Sequence, residues 1–193
     1  MIKYYFGDMG SGKTLSMILE AELIRQKILS LNKRKFLCFT DIDYRYKTND
    51  LWDIVQPKYQ NKNDYKLLLF DEVDKFTDSR KSSSRINRFL SYIIGLSRKT
   101  DMDIILSAQI FSSVDTRLRT FSQYITSCKF VPEEDKLIWN MFSVRTNNEF
   151  SKRLIIDKEY LYSLYSTDYL TIDIIDLTLK KFDQYVKNFG KSE

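Results

Sequence analysis

The chain has 193 residues, 43% hydrophobic and 30% charged, with a formal net charge of +5, two cysteines and no histidine. This is the size and composition of one globular domain able to bury a continuous core without disulfides or structural metal. The missing histidine excludes imidazole acid/base chemistry and most zinc sites, so any hydrolysis has to run on carboxylates and a hard cation.

Residues 2–6, IKYYF, read as a short apolar strand with no basic leader ahead of it. Lys13 to about Asn32 reads as a helix with apolar positions at Leu15, Ile18, Leu19, Ile24 and Ile28, so the chain opens strand, glycine turn, helix. KFLCFT (35–40) is a second strand, and an aromatic and polar stretch follows to Asn63, with a short helix expected around LWDIV. YKLLLFDEV (65–73) is a continuous apolar run closed by acids, the pattern of a parallel strand buried on both faces with its polar residues at the carboxyl edge. In SSSRINRFLSYIIGLSRK, Ile86, Phe89, Leu90, Ile93 and Ile94 fall at i, i+3, i+4, i+7 and i+8, one face of a helix. MDIILSAQ (102–109) and SQYITSCKF (122–130) are two further strands. Strands alternating with helices predict an α/β fold, a parallel sheet flanked by helices with right-handed crossovers.

Beyond Pro132 the pattern changes. LIWNMFSVR and SKRLIIDKEY, on either side of TNN, predict a β-hairpin, and TIDIIDLTLKKFDQYVKNF an amphipathic closing helix. Residues 1–193 are thus expected to form a single domain, with 1–130 as its core and 131–193 as a hairpin and C-terminal helix extension. Cys38 and Cys128 each lie in an apolar run and read as buried thiols, which suits a reducing compartment. No apolar run approaches the roughly 18–20 residues of a membrane span, so a cytoplasmic protein is expected.

Gly7, Asp8, Met9, Gly10, Ser11, Gly12, Lys13 and Thr14 fit G-x-x-x-x-G-K-[ST], the Walker A motif. A random chain of this length would carry that pattern with a probability on the order of one in a hundred. Here three of the protein's five glycines sit in the one turn between a strand and a helix. Glycines let backbone N–H groups converge on phosphates, the helix N-terminus adds partial positive charge, and Lys13 reaches the β- and γ-phosphates of ATP. Thr14 would offer its hydroxyl to Mg²⁺. The alternative, a glycine turn that binds nothing, leaves the lysine at that spacing unexplained.

Asp71 and Glu72 form the matching Walker B pair. A strand beside the P-loop strand would bring Asp71 near the Mg²⁺, while Glu72 would orient and polarise the attacking water. The competing reading is a solvated acidic strand end, as expected for Asp74. Gln109, at the end of the next strand, stands where it would touch the γ-phosphate and report its loss. Arg98 ends the preceding helix, too far round the fold for its own P-loop but within reach of a neighbour's. A trans arginine stabilises the transition-state charge only when subunits form a ring.

Together the Walker A turn, LLLFDE, Arg98, DIILSAQ with its terminal Gln109, and the following VDTRLR resemble the FtsK/HerA superfamily of DNA-pumping ATPases. That group includes viral genome-packaging ATPases and the Zot-like proteins of filamentous phages. The resemblance covers residues 1 to about 130, and its discriminating part is the arginine-to-glutamine arrangement, the Walker elements being generic to P-loop enzymes. YSLYSTDYL, after the hairpin, is a further point of likeness. The resemblance implies a RecA/ASCE-like P-loop NTPase sheet with the P-loop strand between its neighbours, and a homo-oligomeric, hexameric ring around double-stranded DNA. It makes Gln109 the sensor and Arg98 the arginine finger, with Arg117 or Arg119 as alternatives. Because the chain has no accessory barrel, coupling domain or membrane helix, the resemblance points to a minimal virus-encoded packaging motor. Such a motor would work in the host cytoplasm and dock on the virion through a capsid or portal component.

SRKSSSRINR (79–88) puts Arg80, Lys81, Arg85 and Arg88 in and after a loop beyond Walker B. In a ring such a loop would grip phosphates without reading sequence; the plain alternative is a solvated loop and helix start. Lys152 and Arg153 in the hairpin are lesser candidates. Two other functions stay open: a Zot-like virion-assembly ATPase in which nucleotide only switches conformation, and a nucleotide kinase using TRLRTFSQY as a lid. The Asp-Glu pair and Gln109 argue against the kinase.

Overall fold

Apolar runs and turns sort the chain into alternating strands and helices, as their periodicity predicts. The computed structural model describes residues 1–31, 35–47, 50–56, 64–73, 85–110, 112, 114, 116–166 and 172–189, with the backbone alone for 86, 87, 117, 172–177 and 189. The elements are β1 (Ile2–Phe6), α1 (Lys13–Ser30), β2 (Phe36–Thr40), β3 (Asp43–Tyr44), α2 (Leu51–Val55), β4 (Tyr65–Phe70), α3 (Arg85–Ser97), β5 (Met102–Ala108), α4 (Thr116–Phe121), β6 (Tyr124–Val131), β7 (Lys136–Ser143), β8 (Asn148–Ile155), α5 (Lys158–Ser163), β9 (Tyr165–Ser166) and α6 (Ile172–Phe189).

The described residues form a seven-stranded sheet in the order β2-β4-β5-β1-β6-β7-β8, with β3 and β9 as a separate antiparallel pair. The first five strands run parallel, and β7 and β8 are antiparallel. This order corrects one expectation. The strand ending in Asp71 is not beside the P-loop strand, because β5 is inserted between β4 and β1. The two sites still meet, because α1 crosses β5 and β4 on its way from β1 to β2 and carries Thr14 toward the end of β4.

Strand alternation splits the core into two layers. On one face Tyr4, Phe39, Leu68, Phe70, Ile104 and Leu106 pack with α2, α3, α4 and α6. Phe89, Leu90, Ile93 and Ile94 supply the buried stripe of α3 read from the sequence. On the other face Tyr5, Cys38, Leu67, Leu69 and Ile105 pack with α1 and α5. Both cysteines are buried free thiols, and burial pushes Cys128 up to about 11 and Cys38 higher still.

The hairpin is present, but its second strand stops at Ile155 rather than running to Tyr160. Asp157 intervenes as a helix cap, its carboxylate accepting the N–H of Tyr160 at 2.9 Å, and the chain enters α5. The hairpin also extends the main sheet, since β7 pairs with β6 along eight residues. Trp139 on β7 stacks edge-on to Tyr5 at 5.6 Å and donates its indole N–H to Ser16 Oγ at 2.8 Å, fastening the extension to α1.

Candidate nucleotide site

The turn between β1 and α1 holds glycines where the backbone demands them. Gly12 has φ of 84°, and a Cβ there would stand 2.9 Å from both Phe130 Cβ and Leu137 Cδ2. At Gly7, φ is 148° and a Cβ would stand 2.7 Å from Ser11 Oγ. The turn is therefore a left-handed path pressed against β6 and β7, and it delivers the chain into the N-terminus of α1, the positive end of that helix. Lys13, 7% exposed, folds back over the turn and donates to the carbonyls of Gly7 and Asp8 at 2.8 and 2.9 Å.

Asp71, 2% exposed at the end of β4, is the centre of a polar cluster. Thr14 Oγ1 donates to its Oδ2 at 2.7 Å, and Ser107 Oγ on β5 donates to its Oδ1. The Asp71 N–H donates to both oxygens of Asp41, at 2.9 and 3.2 Å, and the Glu72 N–H donates to Ser107 Oγ at 2.9 Å. Glu72 has φ of 48°, a left-handed conformation uncommon outside glycine. Burial raises the pKa of Asp71, outweighing the hydrogen bonds from Ser107 and Thr14 that favour its charged form. Burial also lifts Asp41, to about 7, with the neighbouring Asp71 carboxylate adding to the rise.

The residues present fit a magnesium nucleotide. Ser11 Oγ is buried with no hydrogen-bond partner among the described residues, a donor suited to a phosphate oxygen. The Thr14 hydroxyl and the Asp71 carboxylate are hard oxygen ligands of the kind Mg²⁺ takes.

The other sequence candidates are spread more widely. Phe6 pairs with Ala108, so Gln109, the next residue and an exposed one, flanks the start of the P-loop. Arg98 is exposed just beyond α3, its guanidinium 4.3 Å from the ring centre of Phe121. It lies at the edge where β5 begins, and the seven residues of β5, about 20 Å, separate it from the P-loop edge. Arg119 braces its own helix, donating to Val114 O at 3.0 Å and Thr116 Oγ1 at 3.2 Å. Arg85 is paired with Asp183 of α6 at 2.6 Å, and Arg88 is exposed. Lys152 and Arg153 are exposed on β8. Arg80, Lys81, Asp74 and the side chain of Arg117 lie outside the described residues.

Sequence reasoning missed Asp41, Ser107 and the apolar wall of Phe130 and Leu137. A signal existed for Asp41, an acid closing the apolar run FLCFT as Asp71 closes LLLF. Ser107 stands inside an apolar strand and becomes visible only once the strands are ordered.

Residues 4–129 match the ATPase family associated with various cellular activities (AAA). A search of curated proteins returns no match. Among solved structures, the N-terminal domain of zonular occludens toxin from Neisseria meningitidis is similar with a TM-score of 0.59 at 19% identity, over 86% of this chain and 98% of that one. The genome packaging NTPase B204 from Sulfolobus turreted icosahedral virus 2 gives 0.54 at 14% identity, over 81% and 98%. B204, the DNA-packaging ATPase from Sulfolobus turreted icosahedral virus, gives 0.50 at 15% identity, over 80% and 98%. At these identities the likeness is one of fold, and at that level it agrees with the resemblance drawn from the motifs.

Proposed function

The chain belongs to the AAA family of P-loop ATPases, and from that premise we propose that it is a ring-forming motor that couples ATP hydrolysis to movement of double-stranded DNA into a virus particle. Within the ring, the amides of Gly7 to Gly12, the Ser11 hydroxyl and Lys13 bind the phosphates, with Lys13 exchanging its loop carbonyls for phosphate oxygens. Thr14 and Asp71 would hold Mg²⁺, which when bound neutralises charge on the phosphates. Glu72 orients the attacking water and takes its proton as the terminal phosphate leaves ADP, and Gln109 senses that departure.

The observation that carries the reading is the position of Arg98. It is exposed at the sheet edge opposite its own P-loop, on a fold whose family hydrolyses ATP. An arginine so placed serves a neighbouring subunit as a finger, which makes hydrolysis depend on the ring. Arg117 and Arg119 are the alternatives, and Arg119 is already engaged within α4. The fold likeness to a genome packaging NTPase supports DNA as cargo, as does the exposed Arg88 beside the segment that bears Arg80 and Lys81. Arg85, tied to Asp183, is the weakest of that group. No helix among the described residues is long and apolar enough to cross a membrane, and docking in the host cytoplasm falls to a capsid or portal component.

Steady-state ATP hydrolysis, with and without linear double-stranded DNA, tests the proposal. DNA should stimulate turnover, and Lys13→Ala, Glu72→Gln and Arg98→Ala should each abolish it. A mixture of Lys13→Ala and Arg98→Ala subunits should regain part of the activity, because one supplies the finger and the other the P-loop. Turnover indifferent to DNA and to Arg98 would favour the second reading, a nucleotide switch in virion assembly, which the likeness to zonular occludens toxin supports.

A further inference from the structure

We propose that Asp41 and Ser107 are positioning residues for hydrolysis, a two-sided clamp that accepts the consecutive backbone N–H groups of Asp71 and Glu72 and fixes the turn presenting both side chains. Neither residue belongs to a Walker motif. They come from the two strands that flank β4, Asp41 from the end of β2 and Ser107 from β5.

Asp41, 4% exposed, places both carboxylate oxygens on the Asp71 amide, at 2.9 and 3.2 Å. Ser107, fully buried, accepts the Glu72 amide at 2.9 Å and donates its own proton to Asp71 Oδ1. One hydroxyl thereby ties the backbone of Glu72 to the side chain of Asp71. The clamp is needed because Glu72 sits at φ 48°. A side chain bearing a Cβ is disfavoured there, and such a conformation persists only where its surroundings over-determine it. Released, the peptide would relax toward the right-handed region and swing the Glu72 carboxylate away from its aim. A shift of about 1 Å in a group that positions a reactant costs on the order of a hundredfold in rate.

The inference rests on Glu72 as the residue that orients water, and it concerns hydrolysis with or without DNA. The test uses the full chain as Asp41→Ala, Asp41→Asn and Ser107→Ala, with Glu72→Gln as reference. Three quantities are measured: steady-state ATP hydrolysis, affinity for a fluorescent ADP analogue without Mg²⁺, and hydrogen exchange at amides 71 and 72 in nucleotide-free protein. Asp41→Ala and Ser107→Ala should lower kcat about tenfold or more, with KM and ADP affinity within about threefold of wild type. Asn at 41 keeps an accepting oxygen and should hold kcat within about threefold. Exchange at the two amides should accelerate about tenfold in the alanine variants and not in Asp41→Asn. If Asp41→Ala does not fold, Ser107→Ala, which removes one oxygen atom, carries the test.

Alanine variants that hydrolyse at the wild-type rate while Glu72→Gln is inactive would overturn the clamp. So would KM rising in step with the fall in kcat, or Asp41→Asn as slow as Asp41→Ala. Turnover surviving in Glu72→Gln would instead bring down the role given to Glu72, and unchanged amide exchange in the alanine variants would then bring down the clamp itself.

Discussion

Two walls enclose the P-loop, and they are built from opposite materials. Toward β5, β4 and β2 the contacts are polar, with Thr14, Ser107 and Asp41 all bonded to Asp71. Toward β6 and β7 they are apolar, with Phe130 and Leu137 against Gly12 and Trp139 pinned to α1 behind them. On the proposed function, the polar wall holds the groups that would do the chemistry, and the apolar wall holds the loop in the shape that chemistry would need. The two should therefore fail differently, one in turnover and pH response, the other in stability.

The largest effect is expected at Lys13, which both walls serve. Lys13→Ala should lower ATP turnover more than about a hundredfold in a phosphate-release assay, because the charge that meets the phosphates is gone. Trp139→Ala comes next, on the apolar wall. Removing a 3% exposed indole should cost about 3–5 kcal/mol in denaturant unfolding, and a cost below about 1 kcal/mol would show that the extension is not part of the site's support.

The polar wall answers to pH. Asp41 has an ordinary pKa of 3.8 and reaches about 7 in the folded chain, raised first by burial and then by Asp71. Its protonated form is the one the fold favours, so its contribution is full below about pH 4 and is lost as pH rises through about 7. In Mg²⁺-free thermal melts, wild type should lose up to about 4 kcal/mol relative to Asp41→Asn between pH 4 and 7.5. Parallel pH profiles would break this half of the comparison.

A smaller contrast lies within the loop. Gly12→Ala meets Phe130 and Leu137 at 2.9 Å, whereas Gly10→Ala, at φ 76°, meets nothing within 4 Å. The first should cost about 1–3 kcal/mol beyond the backbone strain of about 1 kcal/mol that both share. The smallest effect on stability is expected at Arg98→Ala, which removes an exposed stack on Phe121 worth about 0.5–1 kcal/mol. A normal melt with lost turnover would assign that arginine to the reaction rather than to the fold.

How much of this could be read in advance differs between the walls. That Lys13 folds over the glycine turn and Thr14 lies beside Asp71 fits the motif, whose phosphate and cation chemistry would restrict residue type and spacing, and strand burial could be read from YKLLLF because a doubly covered strand has no polar face. Strand order was not legible. Nothing in MDIILSAQ says that it inserts between β4 and β1, so the expected adjacency of the two Walker strands failed, although Thr14 and Asp71 still meet. Ser107 stayed hidden for the same reason, as its meaning depends on which strand stands beside it. The end of β8 was misread because Asp157 caps a helix only by virtue of the four residues that follow it.

Chain order adds a consequence of the sheet topology. β1 is flanked by β5 and β6, with Ile2 opposite Ile104 and Lys3 opposite Tyr124. During translation at about 5–20 residues per second, IKYYF leaves the ribosome roughly 5–25 seconds before its second neighbour is made. Throughout that interval an apolar, tyrosine-rich strand has no native partner on at least one side, which makes the nascent chain a substrate for chaperones and for mispairing with other nascent chains. The segment that leads into the P-loop is made before both strands that flank it and can take its final shape only after Val131 has emerged.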